Sequence, residues 1–262
     1  MTTVDWRPGG GRPAPAWRST MAQAAMELRL TGRRGENLLV TLVIPVALLL
    51  FFGAVPELLL STDQYISPIA LLVPGILALA IISTSLVNLG IATAYERAYG
   101  VLKRLGGTPL SRAGLLTAKM LAVIVVELLQ VALLVGIAAA TLGWVPGAGS
   151  SAPIVLGALL LGTLAFAGLG LLMAGALRAE ATLAGANGLY LAFLLLGGIV
   201  VPVDRLPGIL ADVARLFPAA ALSDALRIGL GAASGDASGP LLLLAVWGLV
   251  AAGLAARTFR WE

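Results

Sequence analysis

The feature that most constrains this chain is a series of apolar runs about as long as a bilayer is thick. An α-helix rises about 1.5 Å per residue, so crossing about 30 Å of hydrocarbon takes roughly 20 residues. Segments near 38–55, 67–94, 118–142, 154–177, 181–201 and 240–256 meet or nearly meet that length. Inside lipid, every backbone N–H and C=O needs a partner within the protein, and an isolated run of this length satisfies that only as a helix. The expected fold is an all-α integral membrane protein with six transmembrane helices. Composition agrees: 59% of residues are hydrophobic and 11% charged, against about 25% charged in an ordinary soluble domain.

Charge gives the bundle an expected direction. The side holding both termini receives fourteen Lys and Arg, spread over the N-terminal tail, the 95–117 loop with Lys119, Arg178, Arg257 and Arg260. The other side receives Arg205, Arg215 and Arg227. The positive-inside rule makes the richer side cytoplasmic, with both termini there. The net charge of +4 is thus a topology signal, and no nucleic-acid partner is expected. Residues 1–16, rich in Pro and Gly, read as a disordered tail with no signal-peptide core. Residues 17–36 read as an amphipathic interfacial helix anchored by Trp17, or as an extension of the first span. Residues 37–262 form the six-span domain.

The chain contains no Cys and no His. Disulfides, thiolate or imidazole metal sites and a Ser-His-Asp triad are excluded. No Gly-x-x-x-x-Gly-Lys-Ser/Thr phosphate loop occurs, and Gly106-Gly107-Thr108-Pro109 lacks the lysine. No catalytic residue, metal site or cofactor is expected in this chain.

The most informative stretch runs from Tyr95 to Arg112. Tyr95, Tyr99, Leu102 and Leu105 recur at helical spacing with charges between them, Gly106-Gly107 stops the helix, and Thr108-Pro109 opens a new segment. Two readings stand: a short amphipathic helix that docks by its apolar face in a partner's groove, or a basic loop that only sets topology. The stretch resembles the signature of the ABC type-2 transporter permeases, Glu-Arg-Glu-x-Gly-Thr-Leu-Glu-x-Leu-x-x-Thr-Pro-Leu. Glu96, Arg97, Gly100, Leu102, Leu105, Thr108, Pro109 and Leu110 fall on that pattern, while Ala98, Val101 and Lys103 depart from it. The resemblance implies a coupling helix over 96–110. Its contacts to an ATPase would come from Glu96, Arg97, Gly100, Leu102, Lys103, Arg104, Leu105, Thr108 and Pro109.

A second stretch carries the same resemblance. Gly197-Gly198 near the end of span five is followed by Pro202, Leu206-Pro207, Phe217-Pro218 and Arg227. Two short helices are expected here, starting near Pro207 and Pro218 and partly re-entering the outer leaflet, or else one ordinary external helix. The resemblance implies an external cap over the pathway that includes Pro202, Pro207, Pro218 and Arg227. Within the spans, Glu127 with Gln130 one turn away is the clearest polar pair. With Asn88, Asn187 and Tyr190 it either faces a translocation path or bonds neighbouring helices. Gly170/Ala174 and Ala184/Gly188 mark close packing, in the bundle or at a dimer seam.

Together the resemblances imply the permease subunit of an ATP-binding cassette exporter in a bacterial cytoplasmic membrane. It would move a drug, antibiotic or lipid outward. Two copies of an ABC ATPase would bind the ATP and Mg, and a second permease copy, identical or paralogous, would complete the path. The competing readings are a non-transporting scaffold or regulatory subunit and a membrane-embedded enzyme.

Overall fold

The computed structural model describes residues 15–33, 35–55, 68–199, 203 and 206–259, with the backbone alone for 35–40. Most of the tail, Pro202 and Arg205 lie outside the described residues. The described chain is helical and contains no strand: α1 (Ala16–Arg33), α2 (Gly35–Ala54), α3 (Pro68–Ile82), a π-helical turn (Ser83–Asn88), α4 (Leu89–Ala98), α5 (Val101–Gly106), α6 (Arg112–Leu142), α7 (Ala152–Ala176), α8 (Ala179–Leu196), α9 (Gly208–Arg215), α10 (Pro218–Gly229) and α11 (Ser238–Thr258).

Five helical stretches among the described residues are long and apolar enough to cross a membrane: Pro68–Ala98, Arg112–Leu142, Ala152–Ala176, Ala179–Leu196 and Ser238–Thr258. This is an all-α, multi-pass membrane protein. The expected first span falls on α2, of which Thr41–Ala54 is apolar. Span ends differ from the hydropathy reading because helices continue past their apolar stretches. The second runs on to Ala98 and the third begins at Arg112. The fifth ends early, at Leu196, where Gly198 takes a left-handed φ of 67° that favours glycine.

Hydrophobic sequence on all sides places α3 at the centre, with every residue from Leu71 to Ile82 buried. α6 shows the inverse of a soluble amphipathic helix. Glu127, Gln130 and Leu134 are buried, while Val125, Leu128, Leu129 and Leu133 point outward, since lipid accepts leucine and rejects polar groups. α7 packs on α11 through small residues: a Cβ on Gly168 would lie 2.8 Å from the Ala252 amide nitrogen. It meets the second span at Gly170, where a Cβ would lie 2.7 Å from the Leu86 carbonyl oxygen. Gly170 and Ala174 therefore close the bundle from within. Ala184 and Gly188 are exposed on α8.

At the end of the bundle opposite α5, two short helices follow α8, as the prolines predict. Pro207 precedes α9 and Pro218 is its successor's first residue. α10 is buried along nearly its whole length against α3, α7 and α11. α9 instead exposes Ile209, Leu210, Val213 and Leu216. Before α11, the Asp236 carboxylate accepts hydrogen bonds from the Ser238 amide and hydroxyl. Those bonds hold its pKa below the ordinary carboxyl value. This pair of hydrogen bonds is formed above the ordinary carboxyl range and lost as pH falls through the lowered value.

Candidate functional site

The 95–112 stretch does not form one helix. α4 ends at Ala98, and Gly100, with φ 70°, turns the chain into α5. A Cβ at Gly100 would touch nothing within 4 Å, so the glycine is there for its backbone angle. Leu102 is fully buried in a cluster with Leu110, Leu115, Leu171 and Phe259, and Leu105 packs against it. The expectation that the apolar face of this helix docks in a partner's groove is corrected here. A six-residue helix has one apolar edge, and its own bundle covers that edge. What α5 and its flanks expose is Tyr99, Val101, Lys103, Arg104, Thr108 and Pro109.

Arg97 braces this segment. Its guanidinium donates to the carbonyl of Gly175 at 2.5 Å and to that of Leu177. These acceptors lie at the C-terminus of α7, where carbonyls lack helical partners and the helix dipole favours a cation. One side chain thus ties the end of the second span to the α7–α8 junction.

Glu96 is buried rather than presented outward. Its Oε2 lies 2.6 Å from Lys119 Nζ, and the same ammonium lies 3.0 Å from Glu27 Oε1. Gln23 donates to Glu27 at 2.8 Å. This charge cluster joins α1, α4 and α6, and sequence reasoning missed it. Lys119 counted only as a topology charge, and Glu27 as one polar position on an interfacial helix. The available signal was the spacing of Thr20, Gln23, Glu27 and Thr31, one polar stripe that turns inward. Trp17, Met21 and Met26 consequently face outward.

A groove of about 610 Å³ runs beside the second span. α2 contributes Thr41 and Ile44, α8 contributes Leu183, Asn187 and Tyr190, and the floor runs from Ser83 to Tyr99 and Val101. From Ser83 to Tyr95 the floor extends about 18 Å at helical rise. Three of the expected path residues, Asn88, Asn187 and Tyr190, share this groove.

Glu127 and Gln130 do not line it. Thr163 on α7 donates to Glu127 Oε2, while Oε1 has no hydrogen-bond partner. Gln130 accepts from Thr84 at 2.9 Å and donates to the Thr41 carbonyl at 2.9 Å. Gln130 thereby holds the π-helical turn against α2 and α6. Such turns carry an extra residue and poorer backbone geometry than an α-helix, so side-chain bonds to them matter more.

At the opposite end, Arg227 is buried and donates to the Gly198 carbonyl. Its Nη1 lies 3.3 Å from Asp224 Oδ1. Ser223 donates to the same Gly198 carbonyl at 3.4 Å. Pro218 starts the helix that carries this anchor, and Pro207 starts the exposed α9.

The fold and site define a class: a multi-pass helical membrane subunit whose second span lines a groove and ends in a braced, exposed segment. The family model for the ABC-2 type transporter matches residues 19–230, and the chain belongs to that family. Its domain is the membrane permease component of an ABC transporter, a subunit type without nucleotide-binding motifs that generally pairs with an ABC ATPase. No curated protein matches the chain.

Proposed function

We propose that this chain is the permease of an ATP-driven exporter that moves an amphipathic substrate outward across a bacterial cytoplasmic membrane. Two permeases, identical or paralogous, face each other across the groove. Two ATPase subunits, which bind ATP and Mg, dock on the exposed side of 99–109. Both termini lie on the ATPase side, as the basic-residue bias favours.

The observation that carries this reading is the continuity of the second span. One helical stretch, Pro68–Ala98, lines the groove and then turns at Gly100 into the exposed segment. Force applied at α5 reaches the groove through that stretch, and through Arg97 it reaches the foot of α8 on the opposite wall. Leu102 and Leu105 anchor the lever, while Lys103, Arg104, Thr108 and Pro109 offer the contact. Glu96 acts from inside, by holding α4 to Lys119. In the same reading, α9, α10 and Arg227 cap the outer end of the path.

The test is purification from the native membrane. An ABC ATPase chain should accompany the permease, with substrate-dependent ATP hydrolysis. Gly100→Val, which places a β-branched residue at φ 70°, should uncouple hydrolysis from transport while the permease still folds. Absence of any nucleotide-binding chain would remove the exporter reading in favour of a scaffold.

A further inference from the structure

The groove has a chemical bias that its size does not convey. Among the described residues no Lys or Arg lines it, and its one acidic lining residue, Glu96, is held by Lys119 behind the wall. Beside Glu96, the rings of Tyr95 and Tyr99 stand 5.9 Å apart, inclined by 31°. Both rings belong to the groove's lining. The C-terminus of α4, whose carbonyls form the negative end of a helix dipole, lies at the same mouth. Arg97, the nearest cation in sequence, points away to Gly175 and Leu177. Lys103 and Arg104 lie outside the lining. Higher along the floor, Val87, Ile91 and Ile44 supply apolar walls, with Asn88 and Asn187 as neutral polar groups.

We infer that the groove takes lipophilic cations: molecules with a quaternary or delocalised positive centre and apolar substituents. Aromatic faces attract such a centre through the ring quadrupole, more strongly where water is displaced. The apolar walls accept the substituents. Among the described residues, an anionic lipid or a phosphate-linked glycan would meet no cation lining the groove, and would face the tyrosine rings and the negative end of α4. This inference rests on reading the groove as the transport path, but binding tests it without ATP.

The probes are tetraphenylphosphonium and tetraphenylborate, which share size and shape and differ in charge. Equilibrium dialysis of the purified chain in neutral detergent, with a detergent-only blank, should show saturable binding of the cation displaced by excess cation and not by the borate. Tyr95→Leu and Tyr99→Leu should each weaken cation binding by about 2- to 5-fold. Tyr95→Phe and Tyr99→Phe keep the aromatic face and should stay within twofold of wild type. The Phe variants, with monodispersity on gel filtration, separate loss of a ring from loss of fold. Equal saturable binding of both ions, or Leu variants that leave cation binding unchanged, would overturn the inference. ATP-driven transport without cation preference would overturn it and leave the exporter reading intact. Tyrosine-dependent cation binding with no ATP-driven movement would do the reverse.

Discussion

Two buried ionisable side chains make different demands. Lys119 is held between Glu27 and Glu96, and removing one partner of a buried cluster leaves uncompensated charge. Lys119→Ala should destabilise the protein by about 3–5 kcal/mol, seen as a lowered thermal midpoint in detergent. Adding Glu27→Gln and Glu96→Gln should restore part of the loss, because the unpaired charges go with the lysine. Glu127 is bonded by Thr163 at Oε2, while its Oε1 has no hydrogen-bond partner. Glu127→Gln keeps the volume and the acceptor for Thr163, so its midpoint should match wild type within an amount equivalent to about 1 kcal/mol. It should also leave groove binding unchanged, since Glu127 does not line the groove. A large effect on binding with a normal midpoint would show that α6 rotates to expose it. The importance of Glu127 was legible in the sequence as a lone charge in an apolar run. Its direction was not, because period alone cannot say which neighbour lies on which face.

Among the elements, the crossing of α7 with the second span is the tightest contact tied to the π-helical turn. Gly170→Ala would press a methyl to 2.7 Å from the Leu86 carbonyl, a backbone atom that cannot rotate aside. It should cost about 1–3 kcal/mol as overpacking and shift the π-helical turn. Gly136→Ala on α6 meets nothing within 4 Å and should be neutral or slightly stabilising. Comparing the two midpoints separates packing from helix propensity. The coupling-like element shows where sequence pattern misled. Tyr95, Tyr99, Leu102 and Leu105 read as one apolar stripe, but the left-handed Gly100 breaks the helix between them. The leucines then turn into the core and the tyrosines toward the groove.

At the scale of the molecule, α8 keeps an uncovered face. Ala184, Gly188, Leu191 and Leu195 are exposed at helical spacing, on the helix that forms one wall of the groove. In a homodimer built across the groove, this face meets its copy or the copy's α2. The chain has no native cysteine, so Leu191→Cys can be read alone. It should give an oxidant-dependent dimer on non-reducing gels, whereas Val125→Cys on the outward face of α6 should not. A monomer in both cases, with the ATPase chain bound, would assign the second permease to a paralogue.

The sequence by itself determined what the solvent environment dictates. Apolar runs of bilayer length compel helices. The absence of His and Cys removes whole chemistries, and the 96–110 and 197–227 motifs carry the family. Tertiary structure decided which polar residues meet. Lys119 draws in carboxylates from α1 and α4, Gln130 bonds α2 and the π-helical turn, and Arg97 reaches the end of α7. These partners are 23 to 92 positions apart in sequence or lie in backbone carbonyls, where no local pattern marks them. The groove exists for the same reason. Asn88, Asn187 and Tyr190 share it only because α8 returns beside the second span after two intervening crossings of chain and packs on α4 and the π-helical turn.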